Sequence, residues 1–256
     1  LSPESSIRSG TIGILELRMN DGKPRVRAPE LMDSVQLGLD TTDRALADLE
    51  RINLWTLGLE AARRVLQERQ TTGDRFQTLL DIGTGSGQVS SVLVRDSRKR
   101  GIELRAVGLD FKLCHLVIGR RRGHRQLRVV ADAEHLPFRS GAFDWSLSNL
   151  FFHHFDGPEN RKILSEMRRV CRRAALVVDL RQSGAARLMA RILLPLLGAG
   201  WVALHDGWLS ADQAWHLEDV REMADEVETT DLRKRFPFRF SLVMEPAEPN
   251  STPQED

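Results

Sequence analysis

Three glycines separated by single residues, in Leu79-Leu-Asp-Ile-Gly83-Thr-Gly85-Ser-Gly87-Gln88, form the densest chemical signal in the chain. Such spacing lets the backbone turn tightly and lets a ligand approach it, because no Cβ stands in the way. A helix that starts just after the turn presents free N–H groups and the positive end of its dipole. The third glycine of the dinucleotide fingerprint Gly-x-Gly-x-x-Gly is missing, since Gln88 holds its place. The Gly-Lys-Ser/Thr of a triphosphate-binding loop is missing as well. Two carboxylates follow the loop, Asp110 in Val107-Gly-Leu-Asp-Phe111 and Asp132 in Val129-Val-Ala-Asp-Ala133. At the end of a second strand, Asp110 can accept hydrogen bonds from both hydroxyls of a ribose. Asp132, closing a third, can accept from an exocyclic amine. Either one alone suits a helix N-cap equally well. With Asp81, three carboxylates in register at successive strand ends point to a ligand. Imidazoles, which exchange protons near neutral pH, occur as the pair His153-His154 in Ser148-Asn149-Leu-Phe-Phe-His-His-Phe-Asp156. His205 precedes a carboxylate in Ala203-Leu-His-Asp206.

Positioning these residues requires a sheet whose strand ends share an edge. Five short apolar runs supply it: Thr78–Ile82, Leu104–Leu109, Leu127–Ala131, Phe143–Leu147 and Ala174–Leu180. They alternate with helical patterns, of which Ile163, Met167, Val170 and Cys171 make the clearest stripe. That alternation predicts βαβ units and a parallel sheet with helices on both faces. Two more strands are expected at Val227–Leu232 and Phe238–Met244, with a helix over Ser210–Val227 before them. Upstream, Ala45, Leu49, Ile52 and then Leu59, Ala62, Leu66 predict two amphipathic helices, capped among Thr41, Thr42 and Asp43 and ending near Gly73. A hairpin is expected between Ile14–Leu17 and Arg25–Arg27 around Asn20-Asp21-Gly22. The chain therefore divides into an N-terminal extension and helical cap (1–75), a catalytic domain (76–246) with a lid or insert at 184–225, and a disordered tail (247–256).

The run from Leu79 to Leu180 resembles the core of class I S-adenosylmethionine-dependent methyltransferases, close to the ubiquinone/menaquinone-methyltransferase-like and Methyltransf_11-type small-molecule enzymes. The resemblance implies an α/β, Rossmann-like, seven-stranded and mostly parallel sheet with an antiparallel last strand. It implies that Asp81, Gly83, Thr84, Gly85 and Gly87 surround the methionine portion of S-adenosylmethionine. Asp110 would hold ribose, Phe111 would lie along adenine, Asp132 and Ala133 would mark its amino group, and Asn149 would lie near the methionine amine and the methyl. In phenol O-methyltransferases the catalytic histidine stands where His153 stands here. The same run also shapes the loop or caps the following helix in members without a histidine base. His154 and His205 are the other candidate bases.

Methyl transfer from a sulfonium is an in-line displacement with a good leaving group, so alignment is the protein's main contribution. A hydroxyl acceptor must also lose a proton, which suits histidine. The chain contains no tyrosine, so no phenolic base is available. The Asn/Asp-Pro-Pro-Tyr/Phe of adenine and glutamine N-methyltransferases is broken by Leu150-Phe151, which favours an oxygen or carbon acceptor. Leu188, Ile192, Leu193, Pro195, Leu196, Leu197, Trp201 and Val202, with Trp208 and Trp215, are expected to roof a greasy pocket for a phenol, quinone precursor or polyketide-like acceptor, to touch a membrane surface, or simply to pack on the N-terminal helices. Two other readings of the same fold are an NAD(P)-dependent oxidoreductase and a non-catalytic S-adenosylmethionine-binding protein.

Bulk composition agrees with this picture. Of 256 residues, 41% are hydrophobic and 29% charged, and 37 Lys plus Arg against 36 Asp plus Glu leave a net charge of +1. That balance gives no electrostatic reason to expect nucleic acid. The basic run Arg120–Arg125 reads as a solvated helix end. Two cysteines, Cys114 and Cys171, suit a reducing, cytoplasmic setting. Ile192–Leu204, the longest apolar stretch, is too short to span a membrane. No ligand spacing for a metal is visible, and none is expected.

Overall fold

The computed structural model describes residues 25–34, 37–70, 73–226 and 229–247. Seven strands form one sheet: β1 (Phe76–Ile82), β2 (Glu103–Asp110), β3 (Leu127–Val130), β4 (Phe143–Asn149), β5 (Cys171–Leu180), β6 (Thr229–Arg235) and β7 (Arg239–Met244). Their order is β3-β2-β1-β4-β5-β7-β6. β3, β2, β1, β4 and β5 pair in parallel, whereas β7 runs antiparallel to both β5 and β6. The chain starts at the centre with β1, works outward through β2 and β3, then crosses to β4. A crevice therefore opens at the carboxyl ends of β1 and β4, where strand order reverses.

Nine helices are described: α1 (Leu31–Ser34), α2 (Leu39–Trp55), α3 (Gly58–Arg69), α4 (Gln88–Lys99), α5 (Leu113–Arg121), α6 (Gly157–Val170), α7 (Gly184–Leu196), α8 (Trp201–Gln213) and α9 (Leu217–Asp225). The period-2 alternation of strands sorts their residues between two cores. Leu80 and Ile82 of β1 join Ile163, Leu164 and Met167 of α6 and Val220 and Met223 of α9 on one face. Leu79 joins Leu59, Val65 and Leu66 of α3 and Val89 and Leu93 of α4 on the other. Both faces are covered, which is why β5 reads as the unbroken apolar run Ala174–Val178. Burying an aliphatic side chain of this size contributes about 1.5–3 kcal/mol, so these layers hold the sheet edge rigid.

Several expected boundaries move. α2 begins at Leu39, after an extended Gly38. Thr42, an expected cap, lies inside its first turn and donates its hydroxyl to the Gly38 carbonyl at 3.2 Å. The single helix expected over Ser210–Val227 is two, α8 and α9. Trp215 separates them because its backbone is taken by the end of β5: Trp215 N donates to Leu180 O (3.3 Å) and Gln182 N to Trp215 O (2.9 Å). Arg25–Arg27 forms no strand. Ile14–Leu17, its expected partner, and all but the first residue of the expected tail lie outside the described residues. Among the described residues no helix is long and apolar enough to cross a membrane.

Candidate active site

Gly83, Gly85 and Gly87 all adopt positive φ (68°, 55° and 88°), a region costly to residues with a Cβ. The loop is also crowded. A Cβ on Gly83 would lie 2.3 Å from the Phe151 ring, and one on Gly119 of α5 would lie 1.9 Å from the Ser86 carbonyl oxygen. The turn is held from inside by Thr84 N, which donates to Leu109 O (2.9 Å), and by Gly85 N, which donates to Asp110 Oδ2 (2.9 Å). Asp110 Oδ1 accepts from Lys112 N (2.8 Å). Thr84 donates its hydroxyl to Asp81 Oδ2 at 2.6 Å. Burial pushes the Asp81 carboxyl up to about 6, against hydrogen bonds from Thr84 and Ser90 and with help from the charge of Asp110.

The outer side of the loop is held by α2. Glu50 Oε1 accepts from the Ser86 hydroxyl (2.5 Å), and the Glu50 carbonyl accepts from Gln88 Nε2 (3.1 Å). The same carboxylate meets Arg122 (3.1 Å) and His124 (3.4 Å), and Arg122 also bridges Asp43 (2.7 Å). The basic run at the end of α5 is thus only partly a solvated helix end. Its Arg122 docks α2 against the end of α5 beside the glycine loop.

Across the crevice, β4 ends at Asn149 and the chain turns through Leu150, whose φ is +55°. A 3₁₀ turn follows at Phe152–His154. Asp179 of β5, completely buried, organises this turn. It accepts from Phe151 N (3.0 Å), His153 N (3.2 Å) and His153 Nδ1 (2.7 Å). Glu30, just before α1, faces the other ring nitrogen: its Oε1 is 3.7 Å from His153 Nε2. Burial alone would lower the basicity of His153, but the charge and hydrogen bond of Asp179, with Glu30 behind, outweigh it and carry the imidazole up to about 10. Both ring nitrogens of His153 thus face carboxylates, Nδ1 at Asp179 and Nε2 at Glu30. His154 stacks on it, with centroids 4.4 Å apart, and pairs through Nδ1 with Asp33 (2.9 Å).

One cavity of about 230 Å³ joins these parts. Asp81, Gly83, Thr84, Gly85, Asn149, His153 and His154 all line it. Gly87, Asp110, Phe111, Asp132, Ala133 and His205 do not. Asp110 stays in reach of the loop through Gly85. Phe111 is 76% exposed on the outer edge, and Asp132 holds Glu134 N (2.9 Å) and His135 (3.2 Å) there. His205 pairs with Asp206 (2.8 Å) on α8, half exposed. Asp206 in turn accepts from Leu31 N (2.8 Å) and Met32 N (3.0 Å), fixing the start of α1. The roof also differs from expectation. Met189, Ala190, Leu193 and Leu194 of α7 line the cavity, while Leu188, Ile192 and Leu196 face outward and Trp201 is 63% exposed. Trp215 belongs to the core, under the Arg25 guanidinium. Sequence reasoning missed Glu30, Glu50 and Asp179. Only Asp179 left a visible trace, a lone carboxylate in an otherwise apolar strand.

Comparison with known proteins adds a domain match and a shared fold. Residues 80–178 match the methyltransferase domain family Methyltransf_11. The match places a methyltransferase domain at residues 80–178. A SAM-dependent methyltransferase from Aquifex aeolicus superposes with a TM-score of 0.56 at 15% identity, covering 81% of this chain and 98% of that one. The Haloferax volcanii methyltransferase solved in complex with the Trm112 methyltransferase activator gives 0.57 at 16% identity, covering 84% and 100%. The magnesium protoporphyrin IX methyltransferase of Synechocystis PCC 6803, solved with bound SAH, gives 0.51 at 11%, covering 85% and 91%. An uncharacterized protein from Methanocaldococcus jannaschii is 32% identical over 108 residues; the match spans 42% of this chain and 37% of that relative's length. S-adenosylmethionine is the cofactor of this methyltransferase domain. The residues present fit it: the glycine cradle has no room for a Cβ at Gly83, and Asn149 Oδ1 is buried without a hydrogen-bond partner among the described residues. An ammonium group is a partner such an orphan acceptor would take.

Proposed function

We propose that the protein transfers the methyl group of S-adenosylmethionine to an oxygen or carbon of a small, fairly apolar acceptor, a phenol, quinone precursor or polyketide-like compound. The observation that carries this reading is the continuity of the cavity. Polar groups such as Asp81, Thr84 and Asn149 share its wall with the apolar side chains of Met189, Leu193, Leu194, Leu150 and Phe238. Apolar surface of this kind beside polar anchors suits an acceptor with a greasy body and a polar reacting group. When bound, the donor supplies an electrophilic methyl on a sulfonium. The chain's own part is to hold it and the acceptor in line. Asp110 carries the ribose hydroxyls, Asp81 and Asn149 the methionine end, and α7 closes over the acceptor as a lid. Phe111, Asp132 and Ala133 serve the adenine edge.

An oxidoreductase reading finds Gln88 where a dinucleotide loop needs its third glycine, so the sequence favours the methyl donor. Incubation of the full chain with methyl-labelled donor and a graded set of phenols, quinols and polar controls tests the proposal. Label should pass to apolar acceptors and not to sugars or nucleic acid. Thermal protection by NAD(P) rather than by S-adenosylhomocysteine would overturn it. Donor binding with no label transferred to any acceptor would leave a binding protein in its place.

A further inference from the structure

Glu30, His153 and His154 are far apart in the sequence yet meet in the cavity wall, with one ligand atom from each within 4.8 Å of the others. Glu30 and His153 are buried, and His154 is partly buried. The Glu30–His153 separation of 3.7 Å is too long for a hydrogen bond. It is close to the roughly 3.4 Å that two ligands keep on a tetrahedral ion with bonds of about 2.1 Å. Each imidazole has a carboxylate on its Nδ1, Asp179 for His153 (2.7 Å) and Asp33 for His154 (2.9 Å). This is the arrangement that fixes the tautomer of a metal-bound histidine and aims its other nitrogen at the ion.

We propose that Glu30, His153 and His154 bind a divalent first-row transition metal at the acceptor end of the cavity. Two imidazoles and one carboxylate suit zinc or its neighbours rather than magnesium or calcium, which take oxygen ligands. Three carboxylates (Glu30, Asp33 and Asp179) converge on two rings, so the cluster favours a cation, and a metal ion bound there takes the place of the proton on the His153 ring, which leaves to solvent. Three protein ligands leave a coordination position open toward the cavity. On the reading given under Proposed function, that position takes an acceptor hydroxyl, whose proton leaves to solvent. The O–CH3 bond then forms as the methyl–sulfur bond breaks, the electron pair departing on sulfur as the thioether. This assigns the paired histidines to one task and removes the need for a free imidazole base.

The test uses the full chain, stripped of metal with a chelator and freed of any histidine tag. Co2+ is added stepwise while visible absorbance is followed, and Zn2+ binding is measured by calorimetry. Glu30→Gln and His154→Gln are run beside the wild type, with circular dichroism to confirm folding. The expected result is one equivalent of Co2+ with visible d–d bands, and affinity lowered at least tenfold in both variants. Absence of stoichiometric binding, or equal affinity in wild type and folded variants, would overturn the site. S-adenosylhomocysteine binding, measured on the same stripped samples, is expected to persist, so loss of the metal site and loss of the donor reading give different results.

Discussion

A carboxyl group at Asp81 is buried beside the donor site with its proton affinity raised to about 6. Its unfolded value is near 3.8, so folding takes up a proton between pH 4 and 6. The resulting penalty on stability is absent below pH 4 and complete above pH 6. At about 1.4 kcal/mol per pKa unit it amounts to roughly 3 kcal/mol. Asp81→Asn should therefore raise Tm at pH 8 and leave it little changed at pH 4, as calorimetric scans at the two values would show. On the proposed reading the donor brings a sulfonium and an ammonium to Asp81, and these favour the ionised carboxylate. Donor affinity in the wild type should fall as pH drops through about 6, and Asp81→Asn should be weaker and flat over that range. Crowding sets a second expectation. Gly119→Ala pushes a methyl into the Ser86 carbonyl, a strain of about 1–3 kcal/mol, and should lower both Tm and donor affinity. The glycine loop was legible because its signal is local, one turn; of the strand-end carboxylates, Asp81 lines the cavity and Asp110 reaches the loop through Gly85, while Asp132 lies away from both. Glu30 and Asp179 were not, since their roles depend on a turn at His153 that brings distant segments together.

At the scale of elements, α2 is more than a cover. It seats Glu50 against Ser86, Gln88, Arg122 and His124, so the outer wall of the donor loop is supplied by the N-terminal helices. Glu50→Gln keeps size and removes the charge that Arg122 and His124 face. A partly buried charged hydrogen bond contributes about 1.5–3 kcal/mol, so donor Kd measured by calorimetry should rise at least severalfold while the far-ultraviolet circular dichroism stays unchanged. The apolar spacing of α2 and α3 was readable from Ala45, Leu49, Ile52, Leu59, Ala62 and Leu66. Their ends were not, because Thr42 can cap a helix or bond back within one and only the position of Gly38 decides between them. For the same reason Ser210–Val227 read as one helix: its periodicity continues through Trp215, whereas the backbone there is claimed by β5.

For the molecule as a whole, the order β3-β2-β1-β4-β5-β7-β6 joins five parallel strands to a terminal pair in which β7 lies antiparallel to both β5 and β6. The alternation of apolar runs and helical stripes predicts the parallel sheet with helices on both faces, and the family resemblance adds the seven strands and antiparallel end, but neither predicts the strand order. What alternation cannot carry is which residues of a helix face inward across a loop, and so Leu193 alone of the apolar side chains expected as roof lines the cavity. Every functional assignment rests on the adenosyl group lying across the ends of β1 and β2, with its ribose on Asp110. Calorimetric titration of the full chain with S-adenosylmethionine, in wild type and Asp110→Ala, measures this directly. Saturable binding in the wild type and at least a tenfold loss in the variant is the predicted result; heat from neither the donor nor S-adenosylhomocysteine, or equal affinity in both proteins, would contradict it.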